Sequence, residues 1–170
     1  MLAKICRFIS TILIMILIVI AVLLVGPRVV GYQGYAVVSG SMEPNIHVGS
    51  IVYDKEAVFD EIEEGNVITY TISGDTLVTH RVISVNTEEE TVITKGDAND
   101  TEDANPVSKD QIVGTVVYCM PYLGYLAIYA HTKLAIGVIC GVIILIILLY
   151  LLPEIFKKEE EKEEVTNKAQ

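Results

Sequence analysis

Two long stretches without a charged residue lie near the two ends of the sequence, and short apolar runs alternate with polar turns between them. The first stretch, residues 8–25, has 18 residues, of which only Ser10 and Thr11 are polar. The second stretch, residues 134–152, has 19 residues. A helix rises about 1.5 Å per residue, so each stretch reaches close to the ~30 Å hydrocarbon thickness of a bilayer. The pattern therefore predicts two transmembrane helices.

Each stretch has one alternative interpretation. Lys4 and Arg7 precede the first stretch, as in a cleaved signal peptide. However, the stretch is longer than the ~7–15 apolar residues of such a peptide, and no small-x-small cleavage site ends it. The alternative for the second stretch is a buried core helix, but no polar face interrupts residues 135–150. The transmembrane interpretation is favoured for both.

The central part of the chain has the pattern of a small all-β domain. Runs rich in β-branched residues, separated by turn residues, predict strands at residues 35–38, 50–53, 67–72, 76–85, 90–95 and 111–118. Ser73-Gly74-Asp75 predicts a tight hairpin, and residues 86–89 a second turn. Only residues 56–65 have a helical or loop pattern. The expected fold class is mainly β: a small antiparallel β-barrel flanked by two transmembrane α-helices.

These elements divide the chain into four parts. Residues 1–27 form an N-terminal cytoplasmic tip and a transmembrane helix, and residues 28–133 form the extracytoplasmic β domain. Residues 134–152 form the second transmembrane helix, and residues 153–170 a charged cytoplasmic tail that we expect to be solvated and mobile. The orientation follows from the lysines and arginines outside the two helices, which favour the cytoplasmic side.

Four of the nine tyrosines lie within residues 118–129. Tyrosine has an apolar ring and a polar hydroxyl, and it is enriched at the headgroup level of membranes. We therefore expect an interfacial stretch that leads into the second transmembrane helix. A core strand followed by a connector is the alternative.

The charge is concentrated in the β domain. The chain has a formal net charge of −10, and residues 28–133 alone contain six Lys+Arg and 16 Asp+Glu, which is also a net −10. Phosphate binding needs clustered lysine and arginine, so nucleic acid is not expected as a partner. The three cysteines, Cys6, Cys119 and Cys140, belong to different parts of the chain, and we expect no disulfide.

Two segments contain candidate catalytic residues. Ser39-Gly-Ser-Met-Glu-Pro44 follows a predicted strand, where a serine can be exposed and rigidly held, as a hydroxyl nucleophile requires. Such a sequence also occurs in ordinary turns. In the strand at residues 76–85, period-2 alternation places Val78, His80 and Val82 on one face. A lone histidine there is more often a core residue than a catalytic base.

A third segment, residues 95–103, contains a glycine followed by a cluster of acidic residues and asparagine. Its spacing does not match an EF-hand calcium loop. An aspartate from this loop that orients His80 would complete a Ser/His/Asp arrangement for acyl transfer. The sequence has no zinc-binding pattern, phosphate loop or dinucleotide fingerprint, so we expect no metal and no cofactor.

The three segments together resemble the motifs of type I signal peptidases of the endoplasmic-reticulum type, which also occur in archaea and some Gram-positive bacteria. The resemblance covers the first helix and nearly all of residues 28–131. It implies that Ser41 is the nucleophile and His80 the general base, where the bacterial-type enzymes have a lysine. It also implies that Asp103 orients the base and that Asp97 is a second functional acid.

The resemblance further implies that the Ser41 N–H and the Ser39 hydroxyl stabilise the oxyanion. Ala98 stands where the family more often has asparagine, so any role of that side chain is lost here. Which of Asp97 and Asp103 orients His80 stays open from the sequence.

The implied function is that of a membrane-bound serine endopeptidase. It would cleave N-terminal signal peptides from exported proteins, after small residues at the first and third positions before the cut. Its partners would be signal peptides of secretory preproteins and the lipid membrane, and the sequence identifies no accessory subunit. Its place would be the cell membrane, with the catalytic domain on the extracytoplasmic face. A domain of about 106 residues leaves no room for the cap domain of the larger bacterial-type members.

Two alternatives remain. The first is a membrane-anchored, non-catalytic binding or assembly protein on the same scaffold, in which Ser41 is structural. The second is a hydrolase that uses a Ser/Lys dyad with Lys95.

Overall fold

In a computed structural model, the backbone is described for residues 2–74, 76–129 and 132–168, and the side chains for residues 4–151 apart from 75, 130 and 131. The chain forms two compact units. One contains residues 24–129, and the other contains the helical segments on either side of it.

Helix α1 spans Leu2–Val29, two residues beyond the predicted boundary. Pro27 lies in its last turn, and the carbonyl of Pro27 accepts hydrogen bonds from the N–H groups of Val30 and Tyr32. Gly31 has φ +94°, a left-handed conformation in which glycine commonly ends helices. The helix therefore ends at this glycine cap and not at the proline.

The segments Lys4–Val29 and Lys133–Leu151 are both long and apolar enough to cross a membrane. Only 6% of the most apolar window of each is buried. Their apolar side chains are thus mostly exposed, which argues against a buried core helix for the second segment.

Helix α3 spans Lys133–Lys168, so its backbone continues without a break through most of the charged tail. Glutamate and lysine are strong helix formers, which is consistent with this helical continuation, and a solvated, mobile tail stays a prediction.

Seven strands form one antiparallel sheet. They are β1 (Gln33–Ala36), β2 (Ile51–Glu56), β3 (Val67–Thr71), β4 (Leu77–Asn86), β5 (Thr91–Lys95), β6 (Val107–Ser108) and β7 (Ile112–Met120). Their order in the sheet is β1-β2-β7-β3-β4-β5-β6, and every neighbouring pair is antiparallel. The prediction of a mainly β, antiparallel domain is confirmed. Within the described residues, β1 and β6 are the two ends of the strand order, and no pairing between them closes the sheet.

Each of the six predicted strands overlaps an observed one. The sequence missed β6, which has two residues and therefore no readable alternation. The hairpin between β3 and β4 is present, with Gly74 at φ +59°, while Asp75 lies outside the described residues. Residues 56–65 contain one turn of 3₁₀ helix, Phe59–Glu61.

The tyrosine-rich segment begins in a strand and continues into a short helix, and its place at the membrane interface stays a prediction. Tyr118 belongs to β7 and stacks on Tyr53, with ring centroids 4.7 Å apart. The remaining three tyrosines of this segment are exposed on or next to helix α2 (Leu123–Tyr129). The segment is therefore a strand followed by a short helix with an exposed aromatic face.

Two clusters of buried apolar side chains position the loops. The larger one includes Ile68, Tyr70 and Val82 from the central strands. The smaller one consists of Met42, Ile46 and Val52, and partly buried residues pack against it. Because Met42 and Ile46 belong to the loop between β1 and β2, this second cluster attaches that loop to the sheet.

Candidate active site

Ser41 lies in a short turn that follows β1. The N–H of Glu43 donates to the carbonyl of Gly40 (3.1 Å), and the N–H of Ile46 donates to that of Met42 (2.9 Å). Met42 is 1% exposed, and Ser41 directly before it is partly exposed. The buried methionine thus holds the turn while the serine hydroxyl stays accessible, which is the placement that the sequence predicted.

His80 lies in the middle of β4, on the same face as the buried Val82. Its side chain is 9% exposed. Nδ1 of His80 lies 2.7 Å from Oδ2 of Asp103, so this ring nitrogen is held by the carboxylate. Of the two aspartates left open by the sequence, the structure brings Asp103 into contact with the imidazole.

The partly buried carboxylate of Asp103 is the centre of a cluster of polar side chains. Besides His80, the hydroxyl of Tyr70 donates to Oδ2 (2.9 Å), and so does the hydroxyl of Thr94 (2.6 Å). The backbone N–H of Asp103 also donates to the carbonyl of Thr94 (2.8 Å). Three donors on one oxygen and a backbone anchor leave the carboxylate little freedom to rotate.

These contacts determine the ionisation of the cluster. Burial acts to raise the pKa of Asp103, but the hydrogen bonds from His80, Thr94 and Tyr70 outweigh it and hold that pKa below its ordinary value. Burial raises the pKa of Tyr70 to about 12. The Thr94 hydroxyl, whose oxygen also lies 3.3 Å from the Tyr70 hydroxyl oxygen, opposes this rise, and the nearby Asp103 carboxylate adds to it. At neutral pH Asp103 is therefore an anion, and Tyr70 is a protonated donor.

Asp97 lies in a different environment from Asp103. Its side chain is 10% exposed and forms a two-pronged ion pair with Arg81, from Nε to Oδ1 (2.8 Å) and from Nη2 to Oδ2 (2.7 Å). The amide of Asn45 donates to the same Oδ2 (2.8 Å). The hydrogen bonds from Arg81, opposed by burial and reinforced by Asn45, hold the pKa of Asp97 below its usual value.

A cavity of about 540 Å³ brings four of the five predicted site residues together. Ser39, Ser41, His80 and Asp103 all line it, as do the side chains of residues 35–38. The hydroxyl oxygens of Ser39 and Ser41 are 3.4 Å apart. Neither Asp97 nor Lys95 is among the described residues that line the cavity.

His47 does not belong to this arrangement. His47 is exposed, and its Nδ1 lies 2.5 Å from Oε2 of Glu43, four residues earlier in the chain. His131 lies outside the described residues. Among the described residues, no cluster of histidine, cysteine, aspartate and glutamate has the geometry of a metal site, and Cys6, Cys119 and Cys140 are free thiols.

Sequence reasoning missed four residues of the site: Asn45, Tyr70, Arg81 and Thr94. Strand register would have found Thr94, because Thr94 is paired with Val82, two residues from His80. In the same way, Tyr70 of β3 pairs with Val78, which lies two residues before His80 in β4. Asn45 gave no signal, because its partner is 52 residues away in the chain.

A cavity that combines a serine on a turn with a histidine held by an ionised aspartate has the chemical groups of a serine hydrolase. No protein-family model matches the chain. Over 89 residues the chain is 38% identical to signal peptidase I W of Bacillus subtilis (strain 168), a match that covers 51% of this chain and 47% of that protein.

Matches to eukaryotic proteins are longer. The chain is 31% identical over 124 residues to the signal peptidase complex catalytic subunit SEC11C of Homo sapiens, covering 64% of this chain and 65% of that protein. It is 32% identical over 124 residues to the subunit SEC11 of Colletotrichum graminicola, covering 64% of this chain and 72% of that protein. The chain thus spans about half of the bacterial relative and about two thirds of the human one.

From these similarities, the chain belongs to the signal peptidase family. With its two apolar helices it is a membrane-associated protein. The resemblance inferred from the three sequence motifs is confirmed.

Proposed function

We propose that this chain is a membrane-bound serine endopeptidase, a signal peptidase I that cleaves N-terminal signal peptides from secretory preproteins. The observation that carries the proposal is the cavity that Ser41 shares with the His80–Asp103 pair. The relatives support it, because they are named signal peptidases or catalytic subunits of the signal peptidase complex.

In the proposed acylation step, Asp103 accepts the Nδ1–H of His80, which leaves Nε2 as a free base. Nε2 takes the proton of the Ser41 hydroxyl as Oγ forms a bond to the scissile carbonyl carbon. The negative charge moves to the carbonyl oxygen, where the Ser41 N–H and the Ser39 hydroxyl stabilise it. One such donor is typically worth about 10²–10³ in rate.

The tetrahedral intermediate then collapses and the C–N bond breaks. His80 gives its proton to the leaving amine, which is the new N-terminus of the mature protein, and the signal peptide stays bound to Ser41 as an ester. Water, deprotonated by His80, attacks the ester carbonyl, and the proton returns to the Ser41 oxygen as the signal peptide leaves. The reaction needs no cofactor.

Residues 35–38 are the proposed wall of the substrate-binding cavity. Tyr35, Val37 and Val38 all line it, and their apolar surfaces fit small uncharged side chains better than polar ones. We propose that this wall selects small residues at the first and third positions before the cut.

The proposed topology is multi-pass, in the cell membrane, with both ends of the chain in the cytoplasm and residues 28–133 on the extracytoplasmic face. Lys4 and Arg7 before the first apolar helix, and the lysines after the second, support this orientation. The substrate of a signal peptidase is itself a membrane-inserted apolar segment. Anchoring the enzyme in the same bilayer restricts its search to the surface at which the cleavage site emerges.

Precursor cleavage by the full-length protein in lipid vesicles tests the proposal. Ser41→Ala and His80→Ala should each lower the rate by at least about 10³-fold, because the first variant lacks the proton donor and the second lacks the proton acceptor. Lys95→Ala is the matched control and should stay near the wild-type rate. Undiminished processing by Ser41→Ala would leave the non-catalytic binding protein as the better explanation. An active His80→Ala together with an inactive Lys95→Ala would favour the Ser/Lys dyad.

A further inference from the structure

The carboxylate of Asp97 is fully engaged away from the cavity. Arg81 binds both of its oxygens, and Asn45 donates to Oδ2. The resemblance to the family suggests a functional acid at this position, but among the described residues Asp97 does not line the cavity that Ser41 and His80 share. Any contribution of Asp97 to catalysis is therefore indirect and depends on the residues that it binds.

One of these residues belongs to the strand of the proposed base. Arg81 directly follows His80 in β4, and its third nitrogen, Nη1, donates to the carbonyl of Gly65 (2.8 Å). The guanidinium is thus held at two separate points. Asp97, which binds the other two nitrogens, is therefore fixed relative to the backbone on which His80 lies.

The other residue belongs to the turn of the proposed nucleophile. Asn45 lies four residues after Ser41, and the hydrogen bond from Ile46 to Met42 closes the turn between them. Asn45 itself is exposed, and its amide reaches across to Asp97 on a loop 52 residues away in the chain. Its side chain is therefore a link between the turn and that loop.

The same loop contacts Ser41 a second time. The N–H of Ala98 donates to the carbonyl of Ser41 (2.8 Å). Gly96 permits this approach, because a Cβ there would lie 2.6 Å from the Ser41 carbonyl oxygen. The loop at residues 96–98 thus binds the turn at both ends, Ser41 through Ala98 and Asn45 through Asp97.

We propose that Asn45 is a positioning residue, which together with Asp97 and Arg81 fixes the turn of Ser41 relative to the strand of His80. The inference rests on the proposed function. Asp97 acts in this scheme as the acceptor that joins the two sides, and it does not contact the reacting atoms. Proton transfer from a serine to a histidine tolerates little displacement, since a shift of 1 Å can lower a rate by about 10².

The test compares Asn45→Ala and Asn45→Asp with the wild-type protein, as full-length chains in lipid vesicles. Asn45→Ala should lower kcat about tenfold with little change in KM, as expected for the loss of one hydrogen bond to a charged group. Asn45→Asp should lower kcat further, because its carboxylate faces Asp97 and has no proton to donate. Asn45→Ala should have no further effect in an Asp97→Ala background, because the acceptor is already gone.

Asn86→Ala is the matched control. Asn86 also holds a turn through its side chain, by accepting from the N–H groups of Glu88 and Glu89, but it contacts none of the proposed catalytic residues. Its kcat should equal that of the wild type. A kcat for Asn45→Ala within twofold of the wild type, or an equal loss in Asn86→Ala, would overturn the proposal.

Hydrogen exchange measured by mass spectrometry gives a readout that does not need activity. The amide of Ala98, which is protected by the Ser41 carbonyl, should exchange faster in Asn45→Ala than in the wild type or Asn86→Ala. If the wild type cleaves no precursor, the proposed function fails, and the exchange rates still decide whether Asn45 holds the turn. Unchanged exchange at Ala98 in Asn45→Ala would contradict the positioning role.

Discussion

We expect Asp54 to lower the stability of the β domain at neutral pH. It lies in β2 and is 1% exposed, and neither of its carboxyl oxygens has a hydrogen-bond partner among the described residues. Gly114 on the neighbouring β7 packs so closely that a Cβ there would lie 2.8 Å from the Asp54 Cβ. Burial raises the pKa of Asp54 to about 6, and the hydroxyl of Thr69, which is close but without full hydrogen-bond geometry, offsets only part of this rise.

The size of the effect follows from the difference between the two pKa values. The ordinary pKa is 3.8 and the folded value about 6, a difference of roughly 2 units, and each unit corresponds to about 1.36 kcal/mol. Because the folded pKa is the higher one, stability is greatest below pH 4 and falls as the pH rises towards 6. At pH 7.5 the ionised, buried carboxylate therefore costs about 3 kcal/mol of unfolding free energy, against about 1 kcal/mol at pH 4.5.

Asp54→Asn removes the ionisation at nearly constant volume. We expect the unfolding free energy of the wild type to fall by about 2 kcal/mol between pH 4.5 and 7.5 relative to that of Asp54→Asn. For a domain of this size that is roughly 10 °C in melting temperature. The chain has nine tyrosines and no tryptophan, so near-ultraviolet circular dichroism of the tyrosines is a suitable probe.

Asp60→Asn is the matched control, because it removes the same charge from an exposed position on the 3₁₀ turn. Its melting temperature should follow the pH dependence of the wild type. Asp97 and Asp103 have lowered pKa values, so their protonation falls below this pH range. Parallel curves for the wild type and Asp54→Asn from pH 4.5 to 7.5 would refute the assignment of the destabilisation to Asp54.

Three further predictions concern the site. Thr94→Val removes a hydrogen-bond donor to Asp103 and should lower kcat for precursor cleavage about tenfold, while Thr94→Ser should stay near the wild type. Equal losses in both variants would contradict the role of the hydroxyl. Gly96→Ala should lower kcat by about tenfold or more, because its Cβ would displace the Ser41 carbonyl; wild-type kinetics would show that the loop can move aside. The folded pKa of Asp103 is lowered, so its stabilising contribution is present above about pH 4 and is lost as the pH falls below that value. Acid unfolding of Asp103→Asn should therefore be less steep than that of the wild type, and identical acid titrations would contradict this.

The local pattern of the sequence was sufficient to predict most of the secondary structure. The strands β2, β3, β4, β5 and β7 have alternating or β-branched runs, and each was predicted within a few residues. The two-residue strand β6 was missed because it is too short to have a period. Whether the sheet closes into a barrel depends on a pairing of the edge strands β1 and β6, which is not a property of any single segment.

For the site, too, some features could be predicted from the sequence and others could not. The local pattern predicted a turn at Ser41 and a strand face at His80, and the resemblance of their motifs to those of signal peptidases implied the roles of the two residues. The resemblance pointed to Asp103 as the partner of His80, but the sequence left the choice between Asp103 and Asp97 open, since both lie in one acidic loop. Only the folded chain places Asp103 next to the imidazole and Asp97 next to Arg81.

The sequence by itself determined the two apolar helices, the antiparallel β domain between them and the likeness to signal peptidases, because periodicity and motif spacing are properties of neighbouring residues. The tertiary structure decided which carboxylate holds the histidine, which hydroxyls support it, and how Asn45 links the nucleophile turn to its neighbouring loop. It also decided that Asp54 is buried with no full hydrogen bond to its carboxyl group among the described residues. These are contacts between residues far apart in the chain, and only the pairing and register of the strands bring their side chains together.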